Sequence, residues 1–143
     1  MAYATVEDLI QRFGQQELIR LTTPADEPLG GIVVANAELA LIEASAKMDS
    51  YIRKRYRTPM DVAPPEVAHF CCDIARYDLS TGEQKTPSEE TRTRFKDAMD
   101  WLRDIANGKV TLELDEVSTD TPESGAMVSD RSDRPPEPGG YYP

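Results

Sequence analysis

With 143 residues, 16 of them basic and 26 acidic, the chain has room for one core and carries a formal net charge of −10 at a pI near 4.5. That length disfavours two packed domains, and that acidity works against general affinity for nucleic-acid phosphates. The adjacent Cys71 and Cys72 make no disulfide framework, no apolar run approaches the ~20 residues that span a bilayer, and Met1-Ala2-Tyr3-Ala4 lacks a secretory pattern, so the expectation is a soluble chain in a reducing interior.

The first helix signal is Thr5-Val6-Glu7-Asp8, where the threonine hydroxyl can take an orphan backbone N–H and Asp8 lies in the positive first turn. Val6, Leu9, Ile10 and Phe13 continue it to Gly14, which permits a left-handed cap, and Gln15 to Leu21 reads as a second short helix. Residues 22–35 combine two prolines with Gly30-Gly31 and a brief apolar stretch at Ile32 to Val34, which predicts an exposed contact loop with an edge strand. Asn36 is the expected N-cap of a long helix reaching Arg57. Its apolar stripe is read as Leu39, Ile42, Ala46, Asp49, Ile52 and Tyr56, with Leu41, Ser45 and Met48 beside it.

Pro64-Pro65-Glu66 opens the next helix, with Val67, Phe70, Cys71, Ile74, Ala75 and Tyr77 at helical spacing to about Ser80. A last helix starts at Thr86-Pro87-Ser88-Glu89 and carries Phe95, Ala98, Met99, Leu102, Ile105 and Ala106 to Gly108. Val110, Leu112 and Leu114 then alternate with polar residues, the period of a half-buried strand. From Ser118 onward lie 5 of the 11 prolines and 3 of the 8 glycines, a composition that builds no core of its own. The fold expectation is therefore mainly α: a small bundle of four to five helices over residues 1–108, then a strand and extended arm over 109–143, disordered unless bound. Fully extended, the residues from Ser118 could reach ~85 Å.

Few residue sets could carry chemistry. His69, Cys71, Cys72 and Asp73 lie close in sequence, but at most two would converge from one helix face, short of a four-ligand zinc site. Packing is the preferred reading of the cysteines, and neither cofactor nor metal is expected. Asp49 falls beside an apolar stripe and is expected to form a structural ion pair with Arg76. Arg53, Lys54, Arg55 and Arg57 place four cations in five positions at a helix end, suited to the helix dipole and to subunit or DNA-facing contacts. No phosphate-binding glycine loop, GxSxG elbow or HExxH is present, so an enzyme is not expected.

Four stretches in order resemble the gp36-like family of Mu-like phages and prophages. They are Tyr3 to Ile10 with Arg12-Phe13-Gly14; Ala44 to Arg57 with Asp49, Tyr51 and Arg55-Tyr56; Asp73-Ile74-Ala75-Arg76-Tyr77; and Arg94 to Ala98 with Leu102 and Ile105 to Gly108. The similarity spans about residues 1–112, leaving the loop at 22–31 and the ending Arg134 to Pro143 unmatched. The resemblance implies a head-tail connector, an adaptor assembled in the host cytoplasm into a dodecameric ring in the virion neck. It would bind the portal protein and a stopper or tail-terminator protein while DNA passes through the lumen without sequence-specific binding. Val110, Leu112, Leu114, Arg131, Arg134, Tyr141 and Tyr142 become candidate portal or neighbour contacts. The alternatives are a tail-completion or stopper protein of the neck and a small intracellular protein-interaction module.

Overall fold

The structure, a computed structural model, describes residues 2–82 and 85–114. Five helices follow one another: α1 (Val6–Phe13), α2 (Gln15–Thr22), α3 (Val34–Ile52), α4 (Pro65–Ser80) and α5 (Glu89–Ala106). α3, α4 and α5 pack on one another, and the short α1 and α2 lie across α3 and α4. The mainly α, small-bundle expectation holds. The arm from residue 115, with Arg131, Arg134, Tyr141 and Tyr142, lies outside the described residues.

Local signals fix most helix starts. The Thr5 hydroxyl accepts the Asp8 N–H at 3.1 Å and the Asp8 carboxylate accepts the Thr5 N–H at 2.9 Å, so two otherwise unpaired donors are satisfied reciprocally. Gly14 joins α1 to α2 with φ of +92°, a value costly for any side chain with a Cβ, while its N–H donates to the Ile10 carbonyl at 2.8 Å. Pro64-Pro65 opens α4, and the Ser88 hydroxyl accepts the Thr91 N–H at 3.1 Å to open α5.

α3 departs from its expected bounds at both ends. Asn36 does not cap it; its side-chain amide donates to the Thr22 carbonyl at 2.8 Å, satisfying the end of α2, and α3 begins at Val34 with Val33 as its cap. The expected edge strand at 32–34 does not form: Val33 is the cap and Val34 the first residue of the helix. At the other end the ladder tightens, Arg55 N–H donating to the Ile52 carbonyl three residues back at 3.0 Å, and the helix stops at Ile52 instead of Arg57. This turn swings Tyr56 into the core.

The buried face of α3 also differs from the expected stripe. Ala37, Ala40, Leu41, Ala44, Ser45, Met48 and Ile52 are buried, while Leu39 and Ile42 remain 54% and 47% exposed. Four small side chains let the backbones of α3 and its neighbours approach closely, and this close packing outweighs the burial available to two larger residues. The core continues into α4 through Val67, Cys71, Cys72, Ile74 and Ala75, and into α5 through Ala98, Leu102 and Ile105.

No strand forms over Val110, Leu112 and Leu114. The backbone groups that a partner strand would pair are taken by side chains: Arg55 Nη1 donates to the Val110 carbonyl at 2.9 Å, and the Tyr56 hydroxyl accepts the Leu112 N–H at 2.9 Å. Leu112 is 2% exposed and closes the base of the bundle. Replacing Tyr56 by Phe keeps the ring but strands that buried N–H, so Tyr56→Phe is expected to cost about 1–3 kcal/mol in urea unfolding. Hydrogen exchange should locate the loss of protection at the Leu112 amide.

Candidate assembly surfaces

α1 and α2 are held on α4 by two charge pairs in opposite directions. Arg12 of α1 donates from Nη2 to Asp73 of α4 at 3.1 Å, and Arg76, one turn further along α4, donates from Nε to Glu17 of α2 at 2.6 Å. Arg76 is 7% exposed, with Glu90 of α5 as a second acid at 3.8 Å. Its Nη1 has no acceptor, but the guanidinium lies over the Phe13 ring at 4.3 Å, where the π face takes part of the charge. The expected Asp49–Arg76 pair is therefore replaced by two separate contacts. Asp49 instead accepts a hydrogen bond from the Tyr3 hydroxyl, which in turn accepts the Met60 N–H at 3.0 Å. Burial and the neighbouring Asp49 push the Tyr3 phenol well above its ordinary pKa.

The basic cluster separates into two roles. Arg53, Lys54 and Arg57 are exposed, whereas Arg55 is half-buried, with Nη1 donating to the Ile105 carbonyl at 3.1 Å as well as to Val110. It binds a carbonyl in the last turn of α5 and another in the segment after it, which ties it into the bundle. Leu112 is likewise lost to the bundle as a partner contact, and Val110 and Leu114 are half-buried.

Two concavities were not legible in the sequence. One, of about 770 Å³, lies between α2, the loop after it and the start of α5, and its rim mixes Arg20, Arg76 and Lys85 with Glu17, Glu27 and Glu90. The other, of about 570 Å³, is a groove between α1 and the first half of α3. Val6, Ile10, Val34 and Ile42 give it apolar walls, and Glu7 and Glu38 stand at its edge. The missed signal was Ile42 itself, assigned to the core on size.

Cys71 and Cys72 are fully buried; burial raises both thiols, Cys72 to about 12, so neither holds appreciable thiolate near neutrality. His69 is exposed on α4, and among the described residues no three His, Cys, Asp or Glu side chains converge as a metal set. Asp73 has its pKa raised by burial, with Arg12 pulling the other way.

Removing Glu17 leaves the buried Arg76 guanidinium with the longer, 3.8 Å pair to the exposed Glu90. Glu17→Ala is expected to destabilise by about 2–4 kcal/mol, below the full range for buried pairs because Glu17 is partly hydrated. Arg94→Ala, which breaks the exposed Glu90–Arg94 pair, should cost under about 1 kcal/mol in the same chemical denaturation measurement.

The amino-acid sequence has relatives over nearly its whole length. Residues 3–130 match the family described as Bacteriophage Mu, Gp36. Gene product J of Escherichia phage Mu is 33% identical over 135 residues, covering 94% of this chain and 93% of that protein. The Mu-like prophage FluMu protein gp36 of Haemophilus influenzae is 33% identical over 128 residues, covering 88% and 86%. By this sequence match over most of its length, the chain belongs to the Bacteriophage Mu Gp36 family.

Proposed function

We propose that this chain is a structural protein of a tailed-phage particle, a head-tail connector that forms a ring beneath the portal and around the DNA exit channel. The observation that carries the reading is the co-linear match to phage Mu and prophage proteins across residues 3–130. The physical character of the chain supports it. Its buried charges are spent on holding helices together, both thiols are enclosed, and its net charge of −10 would let DNA move through a lumen without adhering. No helix among the described residues is long and apolar enough to cross a membrane.

In this role the bundle supplies the wall of the ring, and the segment beyond residue 114 reaches the portal or a neighbouring copy, with Arg131, Arg134, Tyr141 and Tyr142 as contacts. The stopper or tail-terminator protein would bind the opposite rim. Arg53, Lys54 and Arg57 remain available for subunit or DNA-facing contacts.

DNA-filled heads prepared without this chain are expected to leave tails unattached, and adding the full chain should restore joined particles. A chain ending at Val117 should not restore them. Normal joining in the absence of the chain would contradict the connector role, and normal joining with the shortened chain would contradict the role of the arm.

A further inference from the structure

The groove between α1 and α3 and the loop between α3 and α4 are complementary. Apolar walls leave the groove open to water, and its rim bears Glu7 and Glu38. The loop at 57–64 is anchored by Met60, which is 3% exposed and whose N–H is held by the Tyr3 hydroxyl. From this fixed root Val62 projects with 77% exposure, the highest of the large apolar side chains among the described residues. Being β-branched, it has little rotamer freedom to lose on burial. The exposed cations Arg53, Lys54 and Arg57 lead into or begin this loop in the sequence, against one acid of the loop, Asp61.

We propose that the Val62 loop of one copy seats in the α1–α3 groove of a second copy of this chain, its neighbouring cations facing Glu7 and Glu38. The exposure of Val62 means that the loop does not fill the groove of its own chain. Copies carrying −10 each repel overall, so their association needs local pairing of opposite charge, and these two patches supply it. Because the patches differ, the contact is head-to-tail: a copy whose loop is seated still offers its own groove, and the series closes as a ring when the rotation allows. The inference rests on the assembly reading above and names its interface.

The test is oxidative cross-linking of the full chain carrying Val62→Cys with Ile42→Cys, both in concentrated solution and in assembled particles. Both positions are exposed, and native helix content by circular dichroism checks the fold. A non-reducing ladder continuing past the dimer is expected in at least one preparation, and neither single substitution should give it. Adding Glu38→Arg should slow the cross-link about tenfold, and adding Arg57→Glu to that chain should recover most of the rate. A product that stops at the dimer, or no cross-link in either preparation, overturns the seating. A ring visible in particles without the ladder refutes this interface and leaves the connector role standing, whereas particles without any ring refute that role itself.

Discussion

A guanidinium almost wholly withdrawn from water organises this bundle. Arg76 sits inside α4, and its charge has to be met by groups from outside that helix: Glu17 from α2, Glu90 from α5 and the ring of Phe13 from α1. Arg12 reaches back to Asp73 one turn earlier. Together these contacts fix the rotation of α1 about its own axis. With Arg12 and Phe13 committed to α4, Val6 and Ile10 are left facing α3, and the apolar groove follows from that placement. The residues that line the groove are therefore set by an ion pair on the other side of the same helix.

α3 has a corresponding double duty. Its small residues, Ala37, Ala40, Ala44 and Ser45, admit close packing against the core, while Val34 and Ile42 on its outer side stay open. The end of α3 also determines the base of the molecule. The tightened turn after Ile52 presents Arg55 and Tyr56 to the segment after α5, and those two side chains hold Val110 and Leu112 where a strand would otherwise need a partner. A chain built this way pairs the Val110 and Leu112 backbone groups within one copy and leaves part of its uncovered apolar surface, Val34, Ile42 and Val62, in a groove and a loop. That division suits a protein whose work is packing against others.

The sequence was most informative where the deciding interaction is local. The Thr5–Asp8 box, the Gly14 break, the Pro64-Pro65 opening and the stripe of α5 are each settled within four residues, and each was read correctly in kind. It misled where the partner is remote. Arg55 was grouped with the exposed cations because its acceptors lie 50 and 55 residues away, and Asp49 was paired with Arg76 because Glu17 and Tyr3 could not be placed. The side of α3 that faces the core was misjudged for a different reason: hydrophobic size favoured Leu39 and Ile42, whereas the observed packing rewards small residues. The groove was invisible partly for the same cause, since Ile42 in its wall belongs to the stripe expected to face the interior. The family resemblance was legible in residues 1–112, and the match extends to residue 130.

The central claim is that copies of this chain work as an assembled neck component. Image reconstruction of the mature phage particle tests it most directly, because the five-helix bundle is large enough to be fitted into density one copy at a time. The account predicts a closed ring of bundles between portal and tail, around the DNA channel. A particle whose neck contains no copy of the bundle, or only isolated copies that touch one another nowhere, would contradict it.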